Sequence, residues 1–199
     1  MRAENFNPAS VCPESGRGTF VDERDGQAYK YTTIGDQVWM AENLNYETDY
    51  SVCYDNGDSD CDFWGRYYAL QENDSYILNW NKVDTICPIG WHLPSNEEWS
   101  QMIDVIGKYQ DKTTALRLKS TSSLWDESRG KGNDECGFSV IPSGYLYNSG
   151  IVNYIYYGGS FWSSTMKDAY GAYEIGFDRV AGNINSTDTH LLSIRCIKD

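Results

Sequence analysis

The sequence predicts an α+β fold, in which one main amphipathic helix packs against short antiparallel strands joined by long, disulfide-tied loops. Helical periodicity is clear in one stretch, at about residues 95–106. After residue 110 the chain consists of short aromatic and β-branched segments separated by Gly, Asn, Asp and Ser turns. The six cysteines are an even number and form no Cys-x-x-Cys pair, which favours disulfides over zinc ribbons and redox motifs.

The predicted helix is marked at both ends. Ser95 can cap its N-terminus, and Glu98, three residues later, can complete a capping box. Gly107 is expected to end the helix. The apolar side chains between these ends follow the i, i+3, i+4, i+7 spacing of one buried stripe: Trp99, Met102, Ile103 and Ile106.

The strands are predicted from composition and turns. Residues 28–34 and 37–40 are expected to form a β-hairpin across Gly35-Asp36, a two-residue turn with glycine first. The remaining predicted strands cover residues 138–141, 144–147, 160–162, 172–177 and 192–196. No internal repeat of fixed period accompanies them, so we expect a small antiparallel sheet.

Two segments are predicted to be surface loops, at residues 53–62 between two cysteines and at residues 72–86. Residues 1–18 are polar and are expected to form an N-terminal arm, tied down only if Cys12 is bonded. The length of 199 residues suits one domain with such an arm.

The charge of the chain excludes several classes of partner. The net charge is −13, whereas nucleic-acid backbones and anionic membrane surfaces bind lysine and arginine. No apolar run approaches the roughly 20 residues of a membrane span, so no membrane insertion is expected. No signal peptide is recognisable, and Met1–Glu4 is expected to be an added start on a mature sequence.

Several short segments in a fixed order carry a resemblance to a known family. They are Asp25-Gly26, Trp39–Leu44, Cys87–Pro94, Gly137–Ser139, Gly159–Ser164 and Ile194–Ile197. Together they resemble the Fibrobacter succinogenes major paralogous domain, with residues 19–199 as the domain after the arm. The resemblance implies a C-type-lectin-like fold and a secreted protein or one displayed on the bacterial outer surface.

The chain departs from two relatives that share this fold. It has no Glu-Pro-Asn or Gln-Pro-Asp triplet, and Trp80-Asn81-Lys82 has lysine where sugar-binding C-type lectins have aspartate. The usual calcium–sugar site is therefore expected to be absent. Gly158–Trp162 resembles a strand of formylglycine-generating enzymes, but Ser163 and Ser164 follow it and no cysteine pair does. That chemistry is expected to be absent.

The resemblance also bears on the cysteines. It implies a local disulfide between Cys53 and Cys61, and it matches Cys87 and Cys196 to the first and last cysteines of the family core. The two extra cysteines, whose joint presence outside the family pattern suggests a third pair, are Cys12 and Cys136. Six cysteines allow 15 connectivities, and free buried thiols are the alternative.

An acidic segment next to Cys61 is a candidate Ca²⁺ site. It contains five oxygen-bearing side chains, Asp55, Asn56, Asp58, Asp60 and Asp62. Oxygen ligands suit Ca²⁺, but the glycine and the final glutamate of an EF-hand loop are missing. The alternative is a hydrated acidic turn tied by a disulfide. No cofactor other than Ca²⁺ is suggested by the sequence.

A segment dense in Tyr, Asn and Gly is the candidate binding face. Aromatic rings can stack on sugars or contact a protein, and amides supply adaptable hydrogen bonds. The run at residues 154–157 is expected to be exposed, whereas Phe161 and Trp162 are expected to be structural. The candidate ligand-binding residues are Tyr145, Tyr147, Asn148, Asn153, Tyr154, Tyr156, Tyr157 and Tyr170. The alternative is that about half of these rings belong to the core.

No catalytic constellation is recognisable, so an enzyme is not expected. The chain lacks a Gly-x-Ser-x-Gly elbow and a phosphate loop, and His92 is expected to be a hydrogen-bonded structural residue. The sequence favours a binding module for a glycan or a surface protein. The alternatives are a self-associating adhesin or filament component and, least favoured, an enzyme of the formylglycine-generating type.

Overall fold

The structure is a computed structural model that describes residues 6–54, 58–69, 80–147, 152–167, 172–187 and 190–199. It is a mixed α/β chain, built mostly from short antiparallel strands. The helices are α1 (Pro8–Val11), α2 (Asp58–Trp64), α3 (Trp80–Thr85), α4 (Asn96–Ile106) and α5 (Lys112–Leu118), with a short 3₁₀ turn at Glu14–Gly16. Within the described ranges, no helix has the length and apolarity needed to cross a membrane.

Thirteen strands form four sheets among the described residues. They are β1 (Gly18–Val21), β2 (Ala28–Ile34), β3 (Gln37–Met40), β4 (Ser51–Val52), β5 (Tyr67–Tyr68), β6 (Trp91–His92), β7 (Tyr145–Tyr147), β8 (Val152–Asn153), β9 (Gly159–Met166), β10 (Ala172–Phe177), β11 (Ala181–Thr187), β12 (His190–Leu191) and β13 (Ile197–Lys198). The sheets have the orders β1-β2-β3-β13-β6, β11-β10-β9, β12-β7-β8 and β4-β5.

The five-stranded sheet begins with the predicted hairpin, which is confirmed. Strands β2 and β3 pair antiparallel from Tyr31 opposite Met40 to Ile34 opposite Gln37. Gly35 has φ +60° at the first turn position, a left-handed conformation that favours glycine. Near the C-terminus, Ile197 lies between β3 and β6, so the end of the chain completes the sheet.

Helix α4 confirms the predicted capping box and the predicted stripe. The Ser95 side chain accepts from the backbone N–H of Glu98, and the Glu98 side chain accepts from the backbone N–H of Ser95. The four side chains of the stripe are buried. Trp99 packs against Trp39 with ring centroids 4.6 Å apart, and it also contacts Phe138, Phe161 and Phe177. This aromatic cluster is the centre of the main core.

Three disulfides use all six cysteines. They join Cys12 to Cys136, Cys53 to Cys61 and Cys87 to Cys196, which are the three pairs suggested by the sequence. The bond between Cys87 and Cys196 spans 109 residues. A closed loop of that length is worth roughly 4–5 kcal/mol in chain-entropy models.

The N-terminal arm is held against the domain because Cys12 is bonded. The Val11 carbonyl accepts from the backbone N–H of Gly35, and the Gly16 carbonyl accepts from the Thr33 hydroxyl. Phe6 and Val11 pack against the main core. The arm is thus part of the folded unit.

The predicted loops at 53–62 and 72–86 were wrong in part, because residues 58–64 and 80–85 form α2 and α3. Helix α2 is short, and the Cys53–Cys61 disulfide ties its middle to the preceding segment.

Helix α5 was also not predicted. The Asp111 side chain caps it by accepting from the backbone N–H of Thr114 at 2.9 Å. Its seven residues are too few to show a clear periodic pattern of apolar side chains.

Two predicted strands were also wrong. At residues 138–141, Ser139 has φ +54°, which ends extended structure, and Val140 forms a single bridge to Lys119. At residues 192–196, Leu192 and Ser193 form isolated bridges, and regular pairing begins at Ile197. Strand β11 was not predicted because its sequence is mostly small and polar, and its pairing with β10 supplies the stability.

Candidate functional site

The structure brings together four of the eight candidate ligand-binding residues. They are Tyr145, Tyr147, Tyr154 and Tyr157, and His190 joins them through ring contacts. We call these five residues the tyrosine platform. Asn148 and Tyr170 lie outside the described residues, as does the side chain of Asn153, whose backbone belongs to β8.

Strand pairing builds one side of the platform. Tyr145 and Tyr147 are two residues apart on β7, so their side chains share a face of the sheet. His190 lies opposite Tyr147 in the β7–β12 pair. The ring of Tyr145 stacks with that of His190 at 4.3 Å between centroids and with that of Tyr154 at 5.8 Å.

The other side of the platform is a turn with unusual backbone geometry. Tyr154 has φ +59° and Tyr156 has φ +69°, values that non-glycine residues rarely adopt. The Tyr154 carbonyl accepts from the N–H groups of Tyr157 and Gly158, and the Tyr156 N–H donates to Pro142. The three tyrosines of this turn are 47%, 41% and 40% exposed, as predicted for the run. Such strain is characteristic of sites that hold a ligand.

A cleft of about 240 Å³ lies beside the platform. Its lining includes Tyr145, Tyr154, Ser160, Glu174 and Asp178, together with the backbone of three glycines. The Glu174 side chain comes from β10 and is buried, with Oε2 3.5 Å from Nδ1 of His190. The Asp178 carboxylate is held by Arg129 at 3.1 Å and by the N–H of Val180. The cleft therefore combines aromatic walls with a buried acidic acceptor.

The hydroxyl of Tyr145 remains a hydrogen-bond donor in this setting. Burial raises the pKa of Tyr145, and the hydrogen bond with Tyr147 and the nearby Glu174 charge raise it further. The phenol is therefore protonated throughout the physiological pH range.

Tyr156 belongs to a different group of rings. Its centroid lies 6.2 Å from that of Trp64, a buried residue at the end of α2. Phe63, which precedes Trp64 in the chain, is 54% exposed, and its centroid lies 4.7 Å from that of the Trp64 ring. Phe161 and Trp162 are fully buried, as predicted.

The candidate Ca²⁺ residues are separated by the helix. Asp55 and Asn56, together with the Asp58 side chain, lie outside what the structure describes. Asp60 and Asp62 are two residues apart on α2, and side chains at that spacing point to different sides of a helix. Across the described residues, no group of three or more His, Cys, Asp or Glu side chains is arranged to hold a metal ion. The Ca²⁺ site stays a prediction.

His190, Glu174 and Phe63 are site residues that the sequence analysis missed. His190 lies in β12, where it meets Tyr147 through strand pairing. Glu174 lies between Tyr173 and Ile175 in a predicted strand, and nothing in this local sequence indicates that its carboxylate faces a cleft. His92, by contrast, is hydrogen-bonded as predicted, with Nε2 at 2.7 Å from Glu98 and Nδ1 at 2.7 Å from Asp199.

Comparison with models of known protein families assigns the chain to a family. The model of the Fibrobacter succinogenes major domain matches residues 32–198, which is most of the sequence. The chain belongs to this family. The matched part of this Fibrobacter succinogenes major domain includes the tyrosine platform and the cleft beside it. The arm and β1 precede the matched part. No curated protein and no solved structure matches the chain.

Proposed function

We propose that this Fibrobacter succinogenes major domain is a C-type-lectin-like binding module, displayed at the bacterial outer surface, that recognises a neutral glycan. The observation that carries the proposal is the cleft in which Tyr145 and Tyr154 stand beside the carboxylate of Glu174. Sugar rings present apolar C–H faces and hydroxyl edges together, so aromatic walls and a polar acceptor suit them.

The charges at the cleft favour a neutral sugar over an acidic one. Glu174 and Asp178 both line the cleft, and an anionic sugar would meet two carboxylates there. Arg129 is already ion-paired with Asp178 at 3.1 Å. Glu174 can instead accept hydrogen bonds from sugar hydroxyls, and the Tyr145 oxygen, whose proton is shared with Tyr147, can accept another.

The platform is preorganised for this role. Tyr145 is stacked with two neighbouring rings, and the positive-φ turn holds Tyr154 outward. A ligand therefore orders few side chains on binding, which lowers the entropy cost of association. The exposed aromatic area is available for stacking without a change of the fold.

The disulfides support the proposed location. Three disulfides are typical of proteins that fold in an oxidising compartment, such as the cell exterior. The exposed tyrosines and the cleft are features of a binding site, and we propose no catalytic activity for the domain.

The test is a glycan array with the purified domain, run in Ca²⁺ and again in EDTA, with Tyr154→Ala and Tyr157→Ala variants. We expect binding to neutral glycans that each variant weakens about tenfold, as loss of one aromatic contact predicts. Ile89→Ala is the matched control, because Ile89 is 84% exposed and lies outside the platform and the clefts.

Three outcomes are informative. Binding that EDTA abolishes would add a metal to the site. Binding that both tyrosine variants leave intact would move the site elsewhere. Silence on every glycan would overturn the proposal and favour a surface protein as the partner of the exposed tyrosines.

A further inference from the structure

Beside the tyrosine platform lies a second set of exposed rings, supplied by a different part of the chain. Tyr156 and Phe63 both contact the buried ring of Trp64, at centroid distances of 6.2 Å and 4.7 Å. Tyr156 belongs to the same turn as Tyr154, and Trp64 follows Phe63 in the chain, so one ring contact links the turn of the platform to the helix of Phe63.

Phe63 lines a cleft with a volume of about 820 Å³. Its lining residues include Phe63, Tyr31 and Asn45 and the exposed ion pair of Lys30 and Glu42. A neighbouring cleft of about 470 Å³ shares Gln27, Asn45, Cys61 and Asp62 with it. The shared residues place the two clefts next to each other, and each is larger than the cleft beside Tyr145. We call these two neighbouring clefts the groove.

The helix that carries Phe63 is fixed to the domain at its middle and at its C-terminal end. The Cys53–Cys61 disulfide ties its middle, and the Trp64 carbonyl accepts from the Asn43 amide at 2.9 Å. The Gly65 N–H donates to Cys61, and the Arg66 N–H donates to Leu44. Phe63 is thus an apolar ring held outward on a rigid support, although burying it would favour the fold by about 1.5–3 kcal/mol.

We infer that the ligand is an extended neutral polysaccharide chain rather than a single terminal sugar, with a second subsite at Phe63 and the groove beside it. The inference rests on the proposed function, because it places the first sugar of the chain at the tyrosine platform. Following sugars stack on Tyr156 and Phe63, and the groove accepts the chain beyond them. The mixed lining of rings and hydrogen-bonding groups matches the amphipathic surface of a polysaccharide.

The test compares ligands of different length. Soluble mannan, β-glucan and xylan are titrated as polymers, and the one that binds is then titrated as its purified disaccharide through hexasaccharide. We expect the affinity of the native domain to rise with length. Phe63→Ala should weaken hexasaccharide and polymer binding about tenfold and leave the disaccharide unchanged, because the shorter ligand does not reach the second subsite.

Two further variants separate the possible results. Tyr154→Ala should weaken binding of every length, and Ile89→Ala should change none. If Phe63→Ala behaves like Ile89→Ala while Tyr154→Ala is impaired, the second subsite is wrong and the proposed function stands. Equal affinity of the native domain for the disaccharide and the hexasaccharide would also overturn the second subsite alone. If the domain binds short glycans on the array but none of the three polysaccharides, the inference is overturned and the proposed function stands. Silence on the array and with the polysaccharides would overturn both.

Discussion

One carboxylate, that of Glu98, serves both its own helix and the imidazole of His92. Its Oε2 atom accepts from the backbone N–H and the hydroxyl of Ser95, and its Oε1 atom lies 2.7 Å from Nε2 of His92. The other ring nitrogen of His92 lies 2.7 Å from the carboxylate of Asp199. Strand β6, helix α4 and the C-terminus therefore meet at this histidine.

This arrangement predicts a pH dependence of stability. Burial lowers the pKa of His92, but the hydrogen bonds and charges of Glu98 and Asp199 outweigh it and raise the pKa above 6.5. Burial raises the pKa of Glu98, but its bonds to Ser95 and His92 leave it below 4.5. The His92 contribution is complete below about pH 6.5 and is lost as pH rises through the raised pKa. The Glu98 contribution is present above about pH 4.5 and is lost as pH falls.

The measurement is the Tm of the native domain and of His92→Gln between pH 5 and 9. Because the pair is partly exposed, we expect its contribution to be only about 0.5 kcal/mol, which corresponds to about 1–2 °C. His92→Gln should lack the decline above pH 6.5, and Asp199→Asn should retain part of it. An unchanged slope in His92→Gln would contradict the role of this residue.

We expect substitutions of Tyr154 to change glycan binding and protein stability independently. Tyr154→Gly removes a side chain from a left-handed backbone conformation that costs about 1–2 kcal/mol. Glycine also makes the unfolded chain more flexible, which lowers the free energy of unfolding by about 0.4–1 kcal/mol. The two effects oppose each other, so the free energy of unfolding should stay within about 1 kcal/mol of the native value. Tyr154→Val, with a β-branched side chain, should lose about 1–2 kcal/mol in urea unfolding. Both variants should bind glycan poorly, and a Val variant as stable as the Gly variant would argue against backbone strain.

We expect substitution of Arg195 to lower the stability of the domain strongly. Its buried guanidinium donates to Asn43 Oδ1 at 2.7 Å and to the carbonyls of Met40, Phe138 and Ser139. Arg195→Met should cost about 3–5 kcal/mol in urea unfolding, because these acceptors would be left buried without a donor. Lys131→Met, which removes an exposed cation, should cost less than about 0.5 kcal/mol.

The arm disulfide should matter for stability and not for binding. Replacing Cys12 and Cys136 together by alanine should lower the free energy of unfolding by about 2–5 kcal/mol. The arm should then be cleaved at Arg17 under limited trypsin digestion, whereas glycan binding of the folded variant stays native. The Cys53→Ala/Cys61→Ala variant is the comparison, because it loosens the helix of Phe63 and should weaken polymer binding.

Much of the framework was predictable because its causes are local. The capping box involves residues three apart, and the hairpin turn depends on one glycine, Gly35. The short helices α2 and α5 were not predictable, since disulfide Cys53–Cys61 and the burial of Thr114, Ala115 and Leu118 stabilise segments too short for a periodic signal. Ser139 was predicted in a strand because composition does not report its positive φ, which accompanies contacts with Asp134 and Arg195.

The sequence by itself determined the α+β class, the main helix, the hairpin, the pairs of cysteines and the exposed run of tyrosines, because each depends on neighbours in the chain or on the family pattern. The tertiary structure alone decided which aromatic rings meet. His190 reaches Tyr145 through the β7–β12 pair, Glu174 enters the cleft from β10, and Tyr156 contacts Trp64 of helix α2. These contacts join residues far apart in sequence, and no local pattern records which strand lies beside which.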